Sequence, residues 1–145
     1  MEDYIEELFI KVGHTKPIKA QILPYKHTPI VYGASKKSTA ETDMSTLLDA
    51  KGILCVQNIV GALLYYICAV DNKLMVSLSA IGSQQAAATV DTAAAVEQLF
   101  GYIATYSHDG IRYRASDTIL FAHSDSSYLY ERVSHSRAGS HTFLS

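Results

Sequence analysis

The stretch from Gly52 to Asp71 constrains the fold of this chain more than any other part of it. Its apolar residues recur at steps of three and four, which is the spacing of one broad face of an α-helix. They are Ile53, Val56, Ile59, Val60, Leu63, Leu64, Ile67 and Val70. Asp49 precedes the stretch and is a suitable N-cap. A helix with so wide an apolar face must pack on something, and the sequence predicts that residues 72–145 pack on it.

Three further segments have the spacing of helices. Asp3–Lys11 predicts a short helix with Asp3 as cap and Glu6 completing a capping box. Asn72–Gly82 fits a strand or a helix, and helix is favoured because its neighbours are helical. Thr89–Tyr106 predicts a helix capped by Thr89 or Asp91. The predicted buried side of the Asp3–Lys11 helix is Ile5, Leu8, Phe9 and Val12. That of the Thr89–Tyr106 helix is Val96, Leu99, Phe100 and Ile103.

The pattern changes to the strand period at Asp109-Gly110. Residues 111–114 alternate apolar and basic side chains, which predicts a half-exposed strand. Thr118–Asp125 is apolar on both faces until its end, as a central strand is. Gly139–Leu144 predicts a further strand. The predicted fold class is therefore α+β, a helical segment followed by a short antiparallel meander.

Residues 13–48 lack a sustained period and contain three prolines and a polar run, which is typical of a linker or mobile arm. The sequence thus divides into 1–48, a short helix plus flexible arm; 49–107, a helical region; and 108–145, a set of strands.

Composition and charge limit which binding partners and which cellular compartment we expect for this chain. The net charge of −2 gives no electrostatic reason to expect nucleic acid or membrane. The amino terminus is acidic, so no targeting segment is predicted. Residues 53–70 are apolar, but Gln57 and Asn58 interrupt them, which favours a core helix over a membrane span. Cys55 and Cys68 would lie about 20 Å apart on the helix, too far to bridge. Two buried thiols in an intracellular, reducing compartment are expected.

Three short motifs follow one another along residues 49–145. They are Gly61, Leu63 and Tyr65 in "G-x-L-x-Y", then Ser124-Asp125-Ser126-Ser127-Tyr128, then Ser136-Arg137-Ala138-Gly139. In this order and spacing they resemble the carboxy-terminal part of copia-type retrotransposon Pol polyproteins. There a helix and a following helix close the reverse transcriptase, and a short connection leads into a ribonuclease H domain.

The resemblance implies a truncated Pol segment that ends in the first strands of a ribonuclease H fold. It assigns Asp125 as the first of the carboxylates that hold two Mg²⁺ ions in the intact family. The other carboxylates of that site would lie beyond Ser145, and the polymerase motif "Y-x-D-D" does not occur in this chain. Because one carboxylate does not hold two such ions, the expectation is no cofactor and no catalytic activity in this chain alone.

Other interpretations of the same residues remain open. Asp125 also fits a side chain that caps its own turn. The histidines lack the short spacings of a zinc motif, so no metal site is predicted from them. Lys36, Lys37, Arg112 and Arg114 are candidates for weak contact with an RNA–DNA hybrid, and the rest of a Pol polyprotein is a second candidate partner.

An alternative function is a small interaction module that binds a partner helix through the central helix. Self-association, through that apolar helix face or through an exposed strand edge, is a related expectation.

Overall fold

The computed structural model describes residues 2–26, 43–112, 114–126, 136 and 138–144. Within them, four helices precede a two-stranded antiparallel sheet, which confirms the α+β class. The chain divides into two compact units, one from Met1–His27 with Met44–Ile111 and one from Thr28–Asp43 with Arg112–Ser145. The elements are α1 (Glu2–Val12), α2 (Ala50–Ala69), α3 (Met75–Gly82), α4 (Val90–Thr105), β1 (Leu120–Ser126) and β2 (Ala138–Leu144), with 3₁₀ turns at Asn72–Leu74 and Gln85–Ala87.

Helix α2 carries the core of the helical unit. Asp49 caps it as predicted, because an oxygen of its carboxylate accepts a hydrogen bond from the Gly52 backbone N–H. Five of the eight predicted core positions are buried, and Ile53 and Val70 are half-buried. Leu64 is 46% exposed, so its assignment to the core is wrong, and Tyr66, which is only 4% exposed, takes the inward position instead.

Helix α1 also packs on α2, so the prediction that only later residues cover α2 is wrong. Ile5 and Leu8 are buried in the common core, and the Tyr4 hydroxyl donates a hydrogen bond to the Ala62 carbonyl at 3.1 Å. The helix begins at Glu2, which places Asp3 inside its first turn and rules out the predicted capping box around Asp3. It ends at Val12, before Gly13, whose φ of +76° is accessible to glycine without strain.

Helices α3 and α4 form where the sequence predicts them. The ambiguous segment is helical, with Leu78 and Ile81 buried. Thr89 caps α4 through a reciprocal pair of hydrogen bonds with Thr92, whereas Asp91 lies in the first turn. The four predicted buried positions of α4 are all in the core.

The described first half of the predicted arm lies against α4. His14 Nδ1 is 2.9 Å from Glu97 Oε2, and the Gln21 backbone N–H donates to Thr105 Oγ1 at 3.1 Å. The side-chain amide of Gln98 donates to the Leu23 carbonyl at 3.0 Å. Residues 27–42, with Lys36 and Lys37, lie outside the described residues, and the flexibility of the arm stays a prediction.

Strands β1 and β2 pair in an antiparallel register that runs from Leu120 opposite Leu144 to Ser126 opposite Ala138. All residues of both strands are exposed, so the prediction of a buried central strand over Thr118–Asp125 is wrong. The prediction of a strand at residues 111–114 is also wrong for residues 111, 112 and 114, which the structure describes. The Ile111 backbone N–H donates to the Val70 carbonyl at 2.8 Å instead of to a neighbouring strand. Tyr113 lies outside the described residues.

Candidate functional site

The register of the hairpin sorts its side chains onto two faces. Because strand side chains alternate, one face carries Phe121, His123, Asp125, His141 and Phe143, with Gly139 opposite Asp125. The aromatic rings of this face lie close to Phe143 and nearly parallel to it. Their centroids are 5.5 Å away for Phe121, 5.8 Å for His123 and 5.2 Å for His141. The other face carries aliphatic and hydroxyl side chains.

Asp125 lies near the end of β1 at an exposed position. Its Oδ1 accepts a hydrogen bond from the Ser126 backbone N–H at 2.8 Å. An aspartate that caps its own turn accepts from the residue two positions on, so the turn-capping interpretation stays a prediction. Asp125 is one of the residues that line an open depression at this end of the hairpin. The other lining residues are Ser124, Ser126, Ala138, Gly139 and Ser140. A carboxylate in this place is accessible to a cation or a polar ligand.

Among the described residues, Asp117 does not join Asp125 in a cluster. Asp117 lies before β1, at the opposite end of that strand, and Glu131 lies outside the described residues. Among the residues that the structure describes, no three His, Cys, Asp or Glu side chains converge to hold a metal ion. The described part of the site therefore supplies one carboxylate where a two-metal mechanism needs several.

Asp109 belongs to the helical unit and forms an ion pair there. Lys73 Nζ donates to Asp109 Oδ2 at 2.7 Å and lies 3.7 Å from Asp71 Oδ2. The hydrogen bond to Asp109 is the main cause that raises the pKa of Lys73 above its ordinary value. This arrangement ties the segment after α4 to the turn between α2 and α3.

The basic candidates differ in how far the structure places them. Arg112 and Arg114 are exposed, and both belong to the unit that contains the hairpin. The sequence ranges of that unit hold six basic and five acidic residues, a formal charge of +1. Those of the helical unit hold six basic and nine acidic residues, a charge of −3. The helical unit therefore repels a polyanion more than the hairpin unit does.

Helix α2 presents a second candidate surface, an outer face without charge between Lys51 and Asp71. Leu54 is 56% exposed in the first half of the helix, and Tyr65, 59% exposed, follows the exposed Leu64 in its second half. Cys55 and Cys68 lie on this face and are exposed, so the prediction of buried thiols is wrong. A side chain at Gly61 would meet no atom within 4 Å.

Helix α2 is long and apolar enough to cross a membrane, and 28% of its apolar 18-residue stretch is buried. The core helix of a soluble protein can have the same length and composition. The buried side that α2 shares with α1, α3 and α4 is what such a core helix needs. The expectation of no membrane partner stays a prediction.

The pairing of His123 with His141 is the feature that sequence reasoning missed. The two residues lie far apart along the chain, and only the hairpin register places them directly opposite each other. The signal that could have found them was the antiparallel pairing of Thr118–Asp125 with Gly139–Leu144, both of which were predicted as strands.

Comparison with known proteins gives no relative: no protein-family model, no curated protein and no solved structure matches this chain.

Proposed function

We propose that this chain is part of a copia-type Pol polyprotein, without catalytic activity on its own. In this proposal the helical unit corresponds to the connection that follows the reverse transcriptase. The hairpin corresponds to the first strands of the ribonuclease H domain, and Asp125 to one of its metal-binding carboxylates.

One observation carries the proposal: the hairpin brings together two of the motifs on which the resemblance rests. Asp125 of the "S-D-S-S-Y" motif is the register partner of Gly139 in the "S-R-A-G" motif, and Ser126 pairs with Ala138. The order of elements, with helices before the hairpin, supports the same assignment.

The chemistry of the site supports the absence of activity. Two Mg²⁺ ions need several hard oxygen ligands with negative charge. The described residues offer Asp125 alone, and its Oδ1 already accepts a backbone hydrogen bond. A subsidiary part of the proposal is weak, electrostatic binding of an RNA–DNA hybrid through Arg112 and Arg114.

The test is a titration of a labelled RNA–DNA hybrid at several salt concentrations. We expect weak binding that falls with salt, with a slope of log affinity against log salt of about −0.9 for each phosphate contacted. Removing both arginines (Arg112→Ala with Arg114→Ala) should make that slope shallower. Lys51→Ala, at an exposed basic residue of the other unit, is the matched control and should leave it unchanged.

Two results would contradict the proposal. An affinity for the hybrid that does not change with salt would contradict the proposed electrostatic binding of nucleic acid. Hybrid cleavage in Mg²⁺ that disappears in Asp125→Asn would contradict the absence of activity, and would show that the site is completed by groups other than those described.

The exposed outer face of α2 supports a second candidate, the helix-mediated interaction module. Leu54, Leu64 and Tyr65 are exposed apolar side chains on a helix without charged residues between Lys51 and Asp71, and the opposite side of that helix is in the core. Such a surface is typical of a site that binds another helix.

This candidate predicts self-association at micromolar concentration, measured by sedimentation velocity. Leu64→Glu should abolish it, because a charge would have to be buried in the contact. Val76→Glu, at an exposed apolar position of α3, is the matched control and should leave it intact. A monomer at all concentrations, before any substitution, would reject the module.

A further inference from the structure

His123 and His141 occupy directly opposite positions on one exposed face of the hairpin. Side chains in such cross-strand pairs have Cβ atoms about 4.5–5.5 Å apart. The ring of Phe143 lies 5.8 Å from the His123 ring and 5.2 Å from the His141 ring, with interplanar angles of 17° and 28°. Both imidazoles thus lie within 6 Å of one aromatic ring, at exposed positions of the hairpin.

We propose that His123 and His141 form a two-imidazole site for a divalent transition-metal ion. Imidazole nitrogen is a good ligand for Cu²⁺, Ni²⁺ and Zn²⁺, and Cu²⁺ binds such ligands most tightly in this series. Imidazole binds a metal ion at about 2.0–2.1 Å, so a Cβ separation of about 5 Å leaves room for both rings to reach one ion. Water completes the coordination.

The chemistry of this site differs from that of the carboxylate site in the proposed function. Mg²⁺ prefers oxygen ligands, whereas the histidine pair selects nitrogen-preferring ions. Asp125 lies on the same face two residues beyond His123, where its negative charge favours a bound cation. The proposal does not rest on the origin of the chain, and either inference can fail alone.

The site depends on the register of the hairpin. The opposite face carries Ala122 across from Thr142, and neither is a metal ligand of this kind. Because strand side chains alternate, moving a histidine by one position sends it to that face. This property gives a control that keeps the number of histidines constant.

The experiment is a titration of the full chain with Cu²⁺, followed by electron paramagnetic resonance and by broadening of amide signals in NMR spectra. All variants carry Cys55→Ser and Cys68→Ser, because both thiols are exposed and bind or reduce copper. We expect a spectrum with two nitrogen ligands and broadening centred on residues 123 and 141. His141→Ala should weaken binding by at least about tenfold. Loss of a group that only hydrogen-bonds to a metal ligand already costs about 10- to 100-fold in affinity, and His141 is a ligand itself.

The decisive variant combines His141→Ala with Thr142→His. It should bind Cu²⁺ as weakly as His141→Ala, since its new imidazole lies on the other face. Affinity equal to that of the parent would overturn the proposal, as would broadening centred elsewhere, such as at the amino terminus or His108. Unchanged amide shifts of β1 and β2 in each variant verify that the hairpin is retained.

Discussion

At the scale of single residues, Gly52 and Gly61 of α2 have opposite surroundings. A Cβ at Gly52 would lie 3.0 Å from Asp49 Oδ1 and 3.1 Å from Leu48 Cβ. The Gly52 backbone N–H is also the donor to the capping Asp49, at 2.7 Å. A Cβ at Gly61 would point into open space. The glycine at residue 52 is therefore explained by close packing around the cap, and the glycine at residue 61 is not explained by any contact in the described residues.

These surroundings predict different effects of alanine. Gly61→Ala should stabilise the helical unit by about 0.5–1 kcal/mol, the difference in helix propensity. Gly52→Ala should gain less than this or lose stability, because the new methyl group crowds Leu48 and the cap. The measurement is the free energy of unfolding in urea, with both variants at a concentration where the chain is monomeric. An equal gain at both positions would contradict the packing argument.

At the scale of elements, the periodic pattern located the helices well and located the strands less well. The helical face of α4 and the caps at Asp49 and Thr89 are as predicted because they depend on residues within one or two turns. The side of α2 that faces the core could not be predicted in the same way. Whether Leu64 or Tyr66 faces the core depends on where α1 and α3 lie, and this is a tertiary property that the pattern of one segment does not contain.

The strands and the candidate site depend even more on contacts between segments that the pattern of one segment does not contain. The apolar run before Asp125 has the composition of a central strand, but burial needs covering elements, and every described residue of β1 is exposed. Asp125 was found because it lies within a short local motif. The facing pair of His123 and His141 was not, because it depends on strand register, which is fixed between segments and not within either of them.

At the scale of the whole molecule, the two units differ in what holds them together. The helical unit has a continuous core in which Leu63, Ile67, Leu99 and Phe100 have no solvent exposure. The secondary structure described in the other unit is a two-stranded hairpin in which all residues of both strands are exposed. Hairpins of two strands are marginally stable in water unless another strand or a helix covers them. Local stability should therefore be unequal between the units.

Native-state hydrogen exchange measures this inequality directly. Amides of α2 and α4 around Leu63 and Phe100 should exchange only through global unfolding, since opening them exposes the core. Amides of β1 and β2 should exchange through local opening that costs far less. Leu99→Ala should provide the internal control: the cavity it leaves should lower stability by about 2–5 kcal/mol and speed exchange in the helices. Exchange in the hairpin should remain as it was, because its opening does not involve that core. Protection of residues 120–126 equal to that of residues 59–67 would contradict the prediction and would show that the hairpin is covered in solution.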